Sequence, residues 1–192
     1  MINFRIEHLE ETSSTNSLVL ERARHGEPEG LVIVAGHQTS GRGKPGRKWE
    51  SPRGKNLLFS VLLRPPMKPA GAPLLTQVAC RTVAKVLEAK YDIPSTFKRP
   101  NDVMVNGKKI CGILTEAISS GNRLEAVVIG IGLDVNAETE EIPPEAVSMK
   151  VLRGITYVLP DVLNGILAEL NRNLKDLYKK RKSWGNACLP LT

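Results

Sequence analysis

The chain has 192 residues, 41% of them hydrophobic, and a formal net charge of +7. This length can bury a substantial core in one domain, and no apolar run approaches the length of a membrane span. The three cysteines (Cys80, Cys111 and Cys188) are odd in number and widely spaced, which excludes a disulfide framework or a zinc site and fits reduced thiols in the cytoplasm. The basic charge favours an anionic partner, either a nucleic acid or a polyanionic small ligand.

Hydrophobic periodicity predicts many short strands and few long helices. Strands are predicted at residues 2–8, 31–35, 56–63, 96–98, 103–105, 108–116 and 124–131. Helices are predicted from the cap cluster at residues 13–16 to His25, from about Pro73 to Lys90, and from about Asp161 to Lys182. Because strands dominate the middle of the chain, we predict an α+β fold whose helices cover one face of a sheet.

A basic loop, defined here as residues 41–55, joins the second and third predicted strands. Its glycines and prolines oppose a stable helix or central strand. It carries one acid, Glu50, and six cations, Arg42, Lys44, Arg47, Lys48, Arg53 and Lys55. Glycines let backbone N–H groups approach a ligand, and arginines bind phosphate or carboxylate with two donors. The loop is therefore predicted to capture an anion.

Several familiar catalytic motifs are excluded. Gly41-x-Gly43-x-x-Gly46 formally matches the dinucleotide-binding fingerprint, but no helix opens after it, since Lys48-Trp49-Glu50-Ser51-Pro52 continues the loop. No glycine–lysine–Ser/Thr triplet completes a Walker phosphate loop. The three histidines have no nucleophile-elbow context, so covalent catalysis by a Ser or Cys finds no support.

Two polar segments each allow two interpretations. The hydroxyls of Ser14 and Thr15 can simply cap the first helix, or they can face a ligand at its N-terminus. In residues 98–102, Asp102 can hold Mg²⁺, Asn101 a phosphate oxygen and Lys98 a further phosphate charge. Alternatively, Asn101-Asp102 is a turn that opens the next strand.

Lys109 stands in an otherwise apolar predicted strand, next to Ile110 and Cys111. A lysine at such a position is either a guard on an edge strand or a cation pointed into a site. Gly112, three residues further on, would let a ligand approach the strand backbone.

Taken together, these segments resemble the biotin protein ligases. Ser14–Asn16 is similar to the family's S-T-N, and Gln38–Trp49 to its Q-x-x-G-R-G-R-x-G-R-x-W loop. Lys98–Asp102 resembles K-W-P-N-D, Lys109–Leu114 resembles K-(L/I)-A-G-I-L, and Gly130–Asn136 resembles G-I-G-L-N-V-N. Each motif alone is weak, but five of them in the family's order over residues 14–136 form a specific set.

The resemblance implies the catalytic domain of this family, with a mixed, largely antiparallel sheet related to that of class II aminoacyl-tRNA synthetases. It implies that biotin and ATP are substrates, that Mg²⁺ assists, and that biotin is attached to a lysine of a biotin carboxyl carrier protein through bound biotinyl-5′-AMP. The resemblance and the cysteine usage imply a cytoplasmic enzyme, and no membrane partner is expected because no apolar run is long enough. No DNA partner is expected, because no helix-turn-helix segment precedes the domain. Both a monomer and a homodimer remain open.

The resemblance also implies roles for individual residues. Lys109, Arg42, Lys44 and Asp102 are expected to be catalytic, with Asp102 the expected Mg²⁺ ligand. Expected to bind biotin are Ser14, Thr15, Asn16, Gln38, Gly41, Arg42, Gly43, Lys44, Lys109 and Gly112. Expected to bind ATP are Arg42, Lys44, Arg47, Trp49, Lys98, Asn101, Lys109 and Asp134.

Three residues depart from the family pattern. Lys44 stands where arginine is usual, so a bidentate grip on the adenylate is lost while the charge is kept. Arg99 replaces a tryptophan, so an aromatic wall is missing or a guanidinium stacks in its place. Asp134 replaces an asparagine near adenine and adds a negative charge, which we expect to reduce ATP affinity.

The chain is expected to form one catalytic domain over residues 1–192. It ends soon after Trp184, where the family usually continues into a small β-barrel, so that barrel is expected to be absent or truncated.

Two other functions stay open beside the ligase. A lipoate–protein ligase would share the fold, but its R-R-x-x-G-G-G signature does not occur in this sequence. A non-catalytic biotin or adenylate-binding protein would fit the three departures, whereas the presence of Lys109 and Asp102 favours catalysis. A nucleic-acid binder is disfavoured by the low aromatic content, 4%, and by the lack of a recognised binding motif.

Overall fold

The computed structural model describes residues 1–44 and 46–183, with side chains described as far as Lys179. Its strands are β1 (Arg5–Leu9), β2 (Leu31–Ala35), β3 (Leu57–Leu63), β4 (Thr96–Lys98), β5 (Asp102–Val105), β6 (Lys108–Ser120) and β7 (Arg123–Leu133). Its α-helices are α1 (Thr15–Arg24), α2 (Ala72–Tyr91), α3 (Met149–Arg153) and α4 (Leu159–Ser183). Short 3₁₀ turns occupy Pro69–Gly71 and Thr139–Glu141.

The strands of the described residues form one seven-stranded sheet in the order β1-β2-β3-β7-β6-β5-β4. Only β1 and β2 are parallel, and α1 makes the crossover that this pairing requires. The other neighbouring strands are antiparallel, and the long β6–β7 hairpin forms the centre of the sheet. The predicted α+β class with a mixed, largely antiparallel sheet is confirmed.

The sheet is buried on both faces. The long helices α2 and α4 pack against each other and cover one face, where Val32, Phe59 and Val127 point. The short helix α1 lies on the opposite face, where Val19 and Leu20 pack against Val128. The prediction of helices on one face therefore holds for the two long helices only. All five residues of β2 are buried, as expected for a strand covered on both sides.

Helix α1 is short and covers only part of its face, over β2, β3 and β7. Beside it, three glycines of the β6–β7 hairpin belong to the same face as Val128, because alternate residues of a strand share one face. Gly112 and Gly132 are directly opposite each other, and Gly130 faces Leu114. This uncovered, side-chain-free area of the sheet carries the candidate site.

Apart from shifts of one to three residues at element ends, the predicted elements agree with the structure except in two places. β6 continues to Ser120, beyond its predicted end at Glu116, with an irregular register near Ser119. Helix α3 was not predicted. It has only five residues, and its clearest sequence signal is Ser148, whose side chain accepts a hydrogen bond from the backbone N–H of Val151 at 3.1 Å.

Candidate active site

The first turn of α1 forms one wall of the site. Ser14 is the N-cap, and its hydroxyl accepts a 3.5 Å hydrogen bond from the backbone N–H of Ser17. The Gln38 side-chain oxygen accepts hydrogen bonds from the backbone N–H of Thr15 (2.8 Å) and from its hydroxyl (3.1 Å). Ser14, Thr15 and Gln38 also line the cleft. The capping role is therefore present, and the same residues line the cleft; their contact with a ligand stays a prediction.

Asn16 is fixed by contacts on all sides. Its amide nitrogen donates to the backbone oxygen of Leu114 (3.2 Å) and to the carboxylate of Glu116 (2.9 Å). Its amide oxygen accepts from the hydroxyl of Ser60 at 2.6 Å. The amide packs where Gly130 has no side chain, because a Cβ at that glycine would overlap it. The position of Asn16 therefore depends on a glycine 114 residues away in the chain.

The first part of the basic loop folds back on itself. Arg42 and Lys48 form an isolated antiparallel bridge. Trp49 donates its backbone N–H to the oxygen of Gly41 (3.0 Å), and Gly43 donates to the oxygen of Arg47 (3.0 Å). This hairpin presents its cations to the uncovered face of the sheet.

The residues just before the loop are pinned to the chain that leads into α1. The backbone N–H groups of Thr39 and Ser40 donate to the oxygens of Thr12 (3.0 Å) and Ser13 (2.9 Å). The loop and the first turn of α1 therefore form one continuous rim around the cleft.

Trp49 lies over Gly112 and Gly132, which together with Gly130 form the bare area of the sheet called the glycine floor below. A Cβ at Gly112 would come within 2.7 Å of Trp49 Cζ3, and one at Gly132 within 2.7 Å of Cζ2. Any larger residue at either position would displace the indole ring. The indole N–H is buried and has no acceptor among the described residues, so it is free for a ligand atom.

Lys109 reaches this floor from the start of β6. Its ammonium lies 2.8 Å from a carboxylate oxygen of Asp102 and 5.3 Å from the centroid of the Trp49 ring. About a third of its side chain is exposed, 31%. Of the two interpretations, edge guard or cation in a site, the structure supports the second, because Lys109 lines the cleft.

The cleft gathers segments that are far apart in the chain. Together with its open mouth it encloses about 650 Å³. Among the lining residues that the structure describes, one is acidic, Asp102, and five are cationic, namely Arg42, Lys44, Arg47, Lys48 and Lys109. Such a site favours a ligand with several negative charges.

Most of the predicted site residues line this cleft. They are Ser14, Thr15, Asn16, Gln38, Arg42, Gly43, Lys44, Arg47, Trp49, Asn101, Asp102, Lys109 and Gly112. Gly41 is buried directly behind it, hydrogen-bonded to Trp49. Lys98 and Arg99 are exposed and do not line it, although Arg99 lines a neighbouring groove that shares Lys44 and Asn101 with the cleft. Trp49, from the loop motif, supplies an aromatic side chain to the cleft, and the effect of Arg99 stays a prediction.

Asp134 lies just beyond β7 and does not line the cleft. It is 4% exposed, and one carboxylate oxygen accepts a 2.7 Å hydrogen bond from the amide of Asn56. Burial raises the pKa of Asp134 from 3.8 to about 7, although the positive charge of Lys109 opposes that rise. Its expected contact with adenine stays a prediction.

The sequence interpretation missed several supporting residues. Asn56 holds the chain after β7 by accepting from the backbone N–H groups of Val135 (2.9 Å) and Ala137 (3.3 Å). Ser60 and Glu116 orient Asn16. The sequence did contain a signal for two of them. Asn56 and Ser60 are polar residues in an otherwise apolar strand region, where a buried polar side chain needs a specific partner. Gly130 and Gly132 also line the cleft, and their two-residue spacing indicates one bare face of a strand.

The donor set beside Lys109 suits Mg²⁺. Asp102 offers a carboxylate, and the buried side-chain oxygen of Asn101 has no hydrogen-bond donor among the described residues. Mg²⁺ is usually held by one or two protein oxygens together with substrate phosphates. In the described part of the chain, no group of three or more His, Cys, Asp or Glu side chains could hold a metal by itself.

Comparisons with known proteins agree with this geometry. The profile of the Biotin/lipoate A/B protein ligase family matches residues 9–134, about two thirds of the chain. The chain belongs to this family. Among solved structures, the biotin protein ligase from Aquifex aeolicus in complex with biotin and ATP superposes with a TM-score of 0.77 at 32% identity, covering 91% of this chain and 72% of that one.

Curated relatives in the family are longer than this chain. The bifunctional ligase/repressor BirA of Bacillus spizizenii is 36% identical over 168 residues, which cover 85% of this chain and 52% of the relative. The biotin–[acetyl-CoA-carboxylase] ligase of Mycobacterium tuberculosis is 34% identical over 182 residues, covering 92% and 64%. The chain thus spans about half to two thirds of the length of these relatives.

Within the described residues, no helix has the length and apolar character needed to cross a membrane.

Proposed function

We propose that this chain is a biotin protein ligase, which attaches biotin to a lysine of a biotin carboxyl carrier protein at the expense of ATP. In the first step the biotin carboxylate attacks the α-phosphorus of ATP, pyrophosphate leaves, and biotinyl-5′-AMP stays bound. In the second step the carrier lysine attacks the mixed anhydride and releases AMP. Family membership, the longer relatives that carry this name and the cationic cleft support the proposal.

The observation that carries the proposal is the composition of the cleft. Two anions, a carboxylate and a triphosphate, must approach each other, and their repulsion has to be overcome. The cleft offers concentrated positive charge on a preorganised frame, with no enzyme nucleophile needed. Lys109 is central, because its ammonium lies between the glycine floor and the Asn101–Asp102 segment.

The residues then divide by position. The first turn of α1, Gln38 and Arg42 form the side of the cleft that would take biotin and its carboxylate. Arg47, Trp49 and Asn101 would contact the nucleotide, with the Trp49 indole N–H open to an acceptor. Asp102 and Asn101 would hold Mg²⁺, which supplies positive charge to the phosphates when bound.

The test is biotin-dependent exchange of labelled pyrophosphate into ATP. The unaltered chain should catalyse exchange only with biotin present, and Lys109→Ala should lower the rate by about two to three orders of magnitude, as for loss of a charge-stabilising group. Lys108→Ala is the matched control, because Lys108 is the neighbouring, exposed lysine and does not line the cleft.

Exchange with lipoate instead of biotin would replace the proposal by a lipoate ligase. Tight biotin binding without any exchange would replace it by a non-catalytic binding protein.

A further inference from the structure

Glu116 is a carboxylate beside the cationic cleft that none of the motifs above includes. It lies on β6, on the same face as Gly112 and Leu114, and 28% of its side chain is exposed. A negative charge here should repel the anions that the cleft is proposed to bind, unless it has a compensating task.

The contacts of Glu116 indicate that task. One oxygen, Oε2, accepts a hydrogen bond from the Asn16 amide nitrogen at 2.9 Å and also forms an ion pair with an Arg42 guanidinium nitrogen, Nη2. These two partners come from different walls of the cleft, the first turn of α1 and the basic loop. Among the described residues, the ion pair is a side-chain link between that loop and the central strand β6.

The geometry leaves Arg42 able to bind a ligand. A guanidinium has five N–H donors, and the recorded contact to Glu116 uses one terminal nitrogen. The remaining donors can meet a carboxylate in the cleft. The pairing also neutralises Glu116, so the repulsion expected from its charge is removed.

We infer that Glu116 is a positioning residue that fixes Arg42 and Asn16 for biotin binding and holds the basic loop on the sheet. The part concerning biotin rests on the proposed function, whereas the anchoring of the loop does not. Glu116 acts through these two residues and does not contact the reacting atoms.

Two substitutions separate the contacts. Glu116→Gln keeps an oxygen that accepts from Asn16 but loses the ion pair with Arg42, whereas Glu116→Ala loses both. Glu11→Gln is the matched control, since Glu11 forms a similar exposed ion pair with Arg53, at the other end of the basic loop and outside the cleft.

Anchoring is measured by limited trypsin digestion without ligand, with cleavage after Arg47 and Lys48 followed by mass spectrometry. Glu116→Gln should speed this cleavage about three- to fivefold, the effect of losing one partly exposed ion pair. Glu116→Ala should speed it about tenfold, because a hydrogen bond is lost as well. Glu11→Gln should leave it unchanged.

Positioning is measured by the kinetics of pyrophosphate exchange. In Glu116→Gln the KM for biotin should rise about three- to fivefold while kcat changes little, because the lost contact orients a binding group. A merely structural role would instead lower the melting temperature and leave the ratio of kcat to KM of the folded fraction unchanged. The Gln variant decides the matter should the Ala variant fail to fold.

The inference is overturned should Glu116→Gln match Glu11→Gln in cleavage rate and in KM for biotin. Absence of exchange in the unaltered chain would contradict the proposed function alone, since the cleavage comparison needs no biotin.

Discussion

Lys44 is the expected departure from the family pattern that lies inside the cleft itself. It lines both the cleft and the neighbouring groove, so this residue stands at the junction of the two. A lysine supplies the charge of the usual arginine without its two-pronged hydrogen bonding. The grip on a bound adenylate should therefore be weaker here.

Lys44→Arg should slow the escape of biotinyl-5′-AMP by about tenfold, the effect of one added charge-assisted hydrogen bond. The measurement is a chase, in which labelled adenylate is formed on the protein and its release is followed after adding unlabelled ligand. Lys48→Arg serves as a control on the same loop. Equal release rates for the unaltered chain and Lys44→Arg would rule out this role for Lys44.

Asp134 provides a test through pH. Its pKa is raised from 3.8 to about 7 by burial, so the folded state binds its proton more tightly than the unfolded state. The contribution of protonated Asp134 to the free energy of unfolding is therefore complete below about pH 4, and it is lost as the pH rises through about 7. At neutral pH the buried charge destabilises the fold relative to a neutral amide.

Between pH 4 and pH 8, the free energy of unfolding should fall by up to roughly 3 to 4 kcal/mol more in the unaltered chain than in Asp134→Asn, because the asparagine carries no charge. Denaturant unfolding at several pH values between 4 and 8 measures this difference. If the free energies of unfolding of the two proteins change with pH by the same amount, burial of Asp134 does not shift its pKa in the folded state.

The site residues that could be predicted from the sequence are charged side chains that stand out among their neighbours in the chain. Lys109 in an apolar strand and the cations of a glycine-rich loop point to anion binding without any structure. Glu116 was not predictable in this way, since a glutamate near the end of a strand is ordinary. Its partners, Asn16 and Arg42, lie 100 and 74 residues away in sequence.

At the level of elements, the glycine floor of the β6–β7 hairpin decides where Trp49 can lie. Gly112 and Gly132 face each other across the hairpin, and the indole ring occupies the space that their side chains would fill. The ring in turn approaches Lys109, so the two glycines position an aromatic group and a cation together.

Gly132→Ala should displace the ring and weaken ATP binding about tenfold, the scale of one lost base-stacking contact. A Trp184→Phe background leaves Trp49 as the sole tryptophan, so its fluorescence reports the displacement directly.

Gly165→Ala on α4 is the control for Gly132→Ala. Its new methyl group would meet the flexible side chain of Lys90, 3.2 Å from Nζ, and Val86 Cγ1 at an ordinary contact distance of 3.5 Å. Unchanged fluorescence and ATP affinity in Gly132→Ala would contradict the role of the floor.

Element boundaries were predictable where a strong local signal exists. The turn at Asn106-Gly107 has positive φ at both residues, as the Asn-Gly pair predicts, and it fixes the start of β6. The prediction of helices on one face went wrong for α1 because periodicity tells which side of a helix is apolar, not which face of the sheet it covers. That choice depends on the β1–α1–β2 crossover, which is a property of the chain path.

Across the described part of the molecule, a mixed sheet presents bare backbone beneath a cationic loop. The α2–α4 face supplies the packed core, and the α1 face supplies the site. Family membership fixes the fold class. The five motifs, which lie far apart in the sequence, all contribute residues to one cleft, as their resemblance to the family predicts.

We propose that the basic loop and Lys109 together bring a carboxylate and a nucleotide phosphate into contact. The most direct measurement is a crystal structure of the chain with biotin and a non-hydrolysable ATP analogue. We predict that the biotin carboxylate and the α-phosphate will both lie within hydrogen-bond distance of Lys109 Nζ, with Arg42 on the carboxylate and Trp49 against the nucleotide. Biotin bound elsewhere, with the basic loop directed into solvent, would contradict this proposal.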